Sequence, residues 1–231
     1  MKENENRVRQ HRELREKLSA AAVILLIIVM LVAVWKIVSY MVDDWKSRSF
    51  EKALRQSVII IEDEAEAEPD GKINYVIAQA EDNDYYLRRL LNGKGASGGT
   101  LFMDCRNNAD LSDWNTVIYG HNMKNGTMFA SLLNYCKEDY YEKHPVMYLY
   151  TPGHRYRLEL IAGYTTSVTD PVYSIPATKE DRDEIIDHAC KMSSFISDVR
   201  VEDDDRLVTL STCSYAYDNA RYVVIGRIVE E

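Results

Sequence analysis

Three side chains in this 231-residue chain have the types and positions needed to make and break an acyl bond. Cys213 ends the apolar run "LVTLSTC", and Arg221 opens the next such run eight residues later. If the two runs pair as an antiparallel hairpin, Cys213 and Arg221 come to lie nearly side by side. A guanidinium beside a thiol favours the nucleophilic thiolate and offers fixed donors to an oxygen that becomes negative. The third side chain is His121, where the run "TVIYG" gives way to the turn formers "HNMKNG". An imidazole titrates near neutral pH and can give and take the proton that thiol chemistry moves. Taken alone, Cys213 and Arg221 also fit an ordinary core cysteine beside a surface arginine. A histidine at a similar strand–loop junction favours the chemical reading. The other histidines are weaker candidates: His11 lies before a long apolar stretch, His144 precedes a proline, His154 falls in a turn and His188 belongs to a helical pattern.

These residues need a scaffold of strands, and the chain supplies one from about residue 73 onward. "INYVIAQ" at 73–79 reads as a first strand, and "DNDYYLRRLLNGK" at 82–94 as a short helix followed by the loop "GASGG". "TLFMDC" and "TVIYG" are short apolar runs, and "VMYLY" and "RYRLELIAGY" flank the turn "TPGH". In the latter run Tyr156, Leu158, Leu160 and Ala162 alternate with polar residues, the period of a half-buried strand. Residues 179–197 differ: Ile185, Ala189, Met192 and Ile196 recur at helical spacing, which predicts one amphipathic helix lying on the β-structure. Many short strands with one inserted helix predict a mainly β fold with helices, a closed or nearly closed barrel.

Composition narrows the function classes. The formal net charge is -9 with Lys and Arg thinly spread, so the basic stripe of a nucleic-acid binder is missing. The four cysteines show no close pair of the kind structural zinc sites use. Cys105, Cys136 and Cys190 are expected as mostly buried small apolar residues. The acidic run at 202–205 reads as a solvated turn rather than a calcium site. Neither a metal nor another cofactor is expected.

Residues 18–35 carry no charge, and as a helix would span roughly 27 Å, close to a hydrocarbon core of about 30 Å. No A-x-A cleavage site follows, which favours an uncleaved anchor over a signal peptide. Six Lys or Arg precede the stretch and four follow within the next 17 residues, a bias toward a cytoplasmic N-terminus. The expected organisation is a cytoplasmic tail at 1–17, a transmembrane signal anchor at 18–42, a juxtamembrane helix and acidic linker at 43–72, and a barrel at 73–231 outside the cell.

"TLSTC" followed eight residues later by Arg, with "YGHNM…TMF" upstream, resembles the sortase family and, more narrowly, its class B members. "GGTLFMDCRNN", "VIYGHNMKNGTMFASL" and "YYEKHPVMYLY" resemble class B segments in order and spacing, and the resemblance covers about residues 73–231. It implies a cysteine transpeptidase that cleaves a C-terminal sorting motif of secreted client proteins after Thr. The client is then transferred to a peptidoglycan precursor amine. It further implies Cys213 as nucleophile, His121 as the proton-transfer group and Arg221 as oxyanion donor. Asn83, Leu87, Tyr119, Tyr173 and Ser211 match positions that line the class B groove. Two other readings are a peptide hydrolase, with water in place of the amine, and a non-catalytic sorting-peptide binding module. The chain departs from the class pattern in its first strand "INYVIAQ", where Val76 replaces a proline, and at Cys105, which replaces an aromatic.

Overall fold

A computed structural model describes residues 26, 29–42, 59–63 and 73–231. The chain divides into two units, Met1–Lys46 and Ser47–Glu231. In the first, residues 29–42 form helix α1, and its apolar side chains are mostly exposed. Among the described residues no helix is long and apolar enough to cross a membrane. The expected anchor at 18–42 falls partly outside those residues, and the expected tail at 1–17 falls wholly outside them.

In the second unit eight strands are described: β1 Ile59–Asp63, β2 Asn74–Ala78, β3 Leu101–Met103, β4 Asn115–Tyr119, β5 Val146–Thr151, β6 His154–Thr166, β7 Arg206–Cys213 and β8 Arg221–Glu230. They close into a barrel in the order β1-β2-β3-β4-β7-β8-β6-β5, with β1 returning to β5. The β2–β3 and β4–β7 pairs are parallel. Strand β1 corrects the sequence reading, which placed a helix and an acidic linker across 59–63. It pairs Ile60 with Tyr150, about ninety positions along the chain, and a contact that distant leaves no local signal.

Strands β4, β7 and β8 are buried on both faces, which is why they read as continuous apolar runs rather than alternations. The inward set (Ile118, Val208, Leu210, Tyr222, Val224) joins the barrel core with Phe129 and Leu132. The outward set (Leu207, Val223, Ile225) packs with Ile185 and Ala189. Among the described residues of this unit are the helices α2, Glu138–Lys143, and α3, Lys179–Met192, which carries Ile185 and Ala189. Helix α3 begins at an Ncap Thr178 whose hydroxyl accepts from the Asp181 amide, with acids in its first turn and Lys191 in its last. Buried Arg182 ties it down, donating to the carbonyls of Glu202, Asp203 and Asp205 and lying over the Trp114 ring.

Two expected helices are shorter than read. The inserted helix stops at Met192 instead of continuing to 197, because the chain turns at Ser193 to send Phe195 into the core, stacked on Tyr141. Met192 and Ile196 are left exposed. The expected helix at 82–94 is a single 3-10 turn, Tyr86–Arg88. Its carbonyls serve other partners: Tyr86 accepts from Thr100 and Arg88 from Ala96, while Arg89 bridges to Gly95. The cysteines depart from expectation as well: Cys105 is half-buried, Cys136 and Cys190 are exposed, and all are free.

Gly120 links β4 to His121 where no side chain fits. A Cβ there would lie 2.3 Å from Leu101 Cδ2 and 2.6 Å from Phe129 Cδ2, both fully buried. Gly120→Ala is therefore expected to lower unfolding stability by roughly 1–3 kcal/mol, measured by denaturant titration, as for other overpacked core sites.

Candidate active site

Because β4 and β7 run parallel, their C-terminal ends meet at one edge of the barrel. Tyr119 is the register partner of Ser211, so the next outward-facing positions are His121 and Cys213. Three hydrogen bonds carry the pairing past the strand end. Gly120 N donates to Ser211 O (3.0 Å), Thr212 Oγ1 to Gly120 O (2.8 Å), and Asn122 Nδ2 to Cys213 O (3.0 Å). Antiparallel β8 adds the third member, since Cys213 and Arg221 are register partners. Alternation along the strands puts Ser211, Cys213 and Arg221 on the face opposite Leu210, Tyr222 and Val224, hence outside the barrel core. A single cavity of about 410 Å³ is lined by all three candidate chemical residues and by Asn83, Leu87, Tyr119, Tyr173 and Ser211.

His121 is half-buried, and its Nε2 lies 2.6 Å from the Leu87 carbonyl, one of the carbonyls left free by the 3-10 turn. A carbonyl can only accept, so Nε2 carries the proton and Nδ1 is the basic nitrogen of the neutral ring. The backbone is held too, because Phe129 N donates to His121 O (3.0 Å). Arg221 Nη1 donates to the carbonyls of Asn219 (3.3 Å) and Ala220 (3.1 Å), which ties the guanidinium to the loop that leads into β8.

The wall of the cavity is built from hydroxyls and an ion pair whose carboxylate is buried and whose guanidinium is half-exposed. Tyr173 OH lies 2.8 Å from Ser211 Oγ, and its ring stacks on that of Tyr119 with centroids 6.2 Å apart. Burial, partly offset by the Ser211 hydrogen bond and the Arg221 charge, pushes the Tyr173 phenol up to about 12. Burial and the neighbouring carboxylate of Asp104 raise Tyr119 as well, so both phenols stay neutral. Tyr119 OH donates to Asp104 Oδ2 (2.8 Å). Asn83 both lines the cavity and accepts from the Cys105 amide (2.8 Å) through Oδ1. Cys105 is not among the lining residues; its backbone, rather than its thiol, contributes to the site.

Sequence reasoning missed Phe102, Asp104, Arg106, Val168 and Thr212, which also line the cavity. Asp104 and Arg106 lie inside the segment "GGTLFMDCRNN", where attention fell on Cys105. Two opposite charges spaced by one residue resemble any solvated turn until burial is known. Asp104 is fully buried and takes Arg106 Nε and Nη2, each at 2.8 Å, in a fork. Burial works against its charge, but the hydrogen bonds from Arg106 and Tyr119 win and hold the carboxyl at about 2, against an ordinary 3.8.

A depressed carboxyl stabilises the fold above its unfolded value and loses that contribution as pH falls through its folded one. The Asp104 contribution is therefore complete above about pH 4 and lost between pH 4 and 2. Asp104→Asn is expected to flatten this acid limb of the unfolding free energy. At pH 7 it is expected to cost on the order of 1–2 kcal/mol, allowing for the exposed outer half of Arg106. Denaturant titrations at several pH values check both.

Comparison with known proteins follows this geometry. Residues 67–229 match the family model for the Sortase domain. The chain is 38% identical over 165 residues to the sortase B of Listeria monocytogenes, covering 69% of this chain and 66% of that one. It is 27% identical to the sortase B of Staphylococcus aureus, covering 90% of this chain and 95% of that one. It is also similar to the crystal structure of a Staphylococcus aureus sortase B–substrate complex, with TM-score 0.68 and 31% identity, covering 79% of this chain and 84% of that one. A barrel of this strand order and these relatives agree: the chain belongs to the sortase family of cysteine transpeptidases, on its class B branch.

Proposed function

We propose that the cavity at the β4–β7 edge binds a sorting motif near the C-terminus of a secreted client protein, cleaves it after Thr and passes the client to a peptidoglycan amine. Cys213 passes its thiol proton to His121 Nδ1 and Sγ attacks the Thr carbonyl, forming the C–S bond, while the carbonyl oxygen becomes an oxyanion stabilised by Arg221. As the intermediate collapses the C–N bond breaks, and the departing amine takes a proton from His121, leaving a thioester. In the second half His121 removes a proton from the incoming amine; the new C–N bond forms, the C–S bond breaks and the thiol is regenerated. Nδ1 is the nitrogen that exchanges these protons, because Nε2–H is committed to the Leu87 carbonyl. Asn83, Leu87, Tyr119, Tyr173 and Ser211 bind the peptide along the cavity wall, with the phenols as neutral hydrogen-bonding groups.

One observation carries this reading. The parallel β4–β7 register and the antiparallel β7–β8 register bring an imidazole, a thiol and a guanidinium from distant parts of the chain into one cavity. The S. aureus relative solved as a substrate complex supports peptide binding in a fold of this kind. The apolar stretch at 18–42 and the charge bias around it support a single-pass anchor with the N-terminus in the cytoplasm and the barrel outside.

The test uses the purified chain with a library of labelled Thr-containing peptides, with and without a short acceptor peptide bearing a free amine. Product carrying the acceptor is expected; free acid alone would identify a hydrolase, and binding without turnover a peptide-binding module. Cys213→Ala should abolish turnover. His121→Ala should lower kcat by about 10²–10⁴. Arg221→Ala should lower it by about 10²–10³, the cost of removing an oxyanion donor. Thioester trapped by mass spectrometry in the wild type and absent in Cys213→Ala would complete the assignment.

A further inference from the structure

The segment 171–174 forms the cavity wall that carries Tyr173, and its backbone is held by side chains from across the barrel edge. Its successive carbonyls are claimed in turn. Asn115 Nδ2 donates to Val172 O (2.9 Å) and Ser174 O (3.1 Å), and Arg106 Nη2 donates to Tyr173 O (2.9 Å). Asn115 is fully buried and is itself fixed by Thr209 Oγ1 (2.9 Å), so it acts as part of the core. Arg106 differs, because its side chain is 55% exposed. An exposed arginine holds a single geometry only when something restrains it. Here the restraint is the fork to fully buried Asp104, which also accepts from Tyr119. Tyr173 in turn reaches Ser211, two residues before Cys213.

We infer that Asp104 and Arg106 are positioning residues for substrate binding: the pair braces the Tyr173 wall against the β3–β4 edge and so sets the width of the groove beside Cys213. The brace acts through geometry rather than net charge, since the carboxylate and the guanidinium neutralise each other. Arg106 has a planar fork that can hold Asp104 and a carbonyl at once; lysine, a point charge on a flexible stem, cannot. The inference rests on the transpeptidase reading for its kinetic consequence but not for its structural one.

The experiment compares wild type with Arg106→Ala, Arg106→Lys, Tyr173→Phe and the Arg106→Ala/Tyr173→Phe double variant. Peptide cleavage kinetics are measured beside hydrogen–deuterium exchange of the amides at 172–174. Those amides are bonded within the wall segment, Val172 to Asp170 Oδ1, Tyr173 to Asp170 O and Ser174 to Pro171 O. Arg106→Ala is expected to raise KM about tenfold, with a much smaller change in kcat, and to speed exchange at 172–174 by a similar factor. Arg106→Lys should fail to restore either. The double variant should lose less than the product of the two single effects, because both act on one wall. Wild-type exchange in Arg106→Ala, restoration by lysine, or multiplicative single effects would each overturn the brace, the last pointing to direct substrate contact. If the wild type turns over no peptide, the transpeptidase reading fails, and the exchange comparison still decides whether the brace exists.

Discussion

The arrangement depends on the parallel pairing of β4 with β7, two strands separated by about ninety residues of chain. Parallel neighbours end at the same edge of a sheet, so whatever follows each strand is delivered to one place. Here His121 follows one and Cys213 ends the other. An antiparallel pairing of the same strands would send the histidine and the thiol to opposite rims of the barrel. The register matters as much as the direction. Alternation has period two, so a slip of one residue would turn Cys213 toward the core and Thr212 outward. Several features guard against the slip: inward Ile118, Val208 and Leu210 fit the barrel core, Asn115 and Thr209 bond across the outer face, and Gly120 fits only where Leu101 and Phe129 leave no room for a Cβ.

The outer face of this pairing is divided. At the start of β7, Leu207 joins a second apolar cluster with Val223 and Ile225 of β8, Ile161 and Ala162 of β6, and Ile185 and Ala189 of α3. Toward its end the cover is the 171–174 segment, and the packing becomes polar: Ser211, Tyr173, Tyr119, Asp104 and Arg106. The change is gradual along one strand, from hydrocarbon to hydroxyl to thiol. Burial of so many polar groups is tolerable because nearly all find partners, and a half-satisfied network would be worse than an apolar wall. Keeping the phenols neutral and the carboxylate ionised fixes the donor at each step from Tyr119 to Asp104.

Much of this was legible in the sequence, and the parts that were not share a cause. The alternation in β6, the apolar runs of β4, β7 and β8, and the strand-end positions of the three candidate residues all rest on local patterns or short motifs. All eight candidate site residues line the one cavity. What escaped was set by partners far along the chain. "IIIED" at β1 sits beside an acidic run, and only its pairing with β2 and β5 makes it a strand. Residues 82–94 have helix-forming composition, but Thr100, Ala96 and His121 take the carbonyls that a helix would need. Asp104 and Arg106 look like surface charges until Tyr119 and Tyr173 are seen against them. Met192 and Ile196 have helical spacing yet lie exposed, because Phe195 between them takes the place in the core.

The failed helix at 82–94 shows how such departures become useful. A continued helix would have bonded the Leu87 carbonyl within itself. As a single 3-10 turn it leaves that oxygen free, and His121 Nε2 takes it. Gly99 lets the following chain approach closely enough to hold the turn in place: a Cβ there would lie 2.5 Å from the Leu87 and Tyr86 carbonyls. The ring is thus oriented by a backbone atom. A carboxylate would favour the charged imidazolium, whereas a carbonyl fixes the tautomer and adds no full charge. In the proposed reaction His121 both releases and accepts a proton, which the second arrangement serves better. The same economy holds for Cys213, whose carbonyl takes Asn122 Nδ2, and for Arg221, rooted on two loop carbonyls. In each case a main-chain carbonyl takes part in holding the residue at the edge of the cavity.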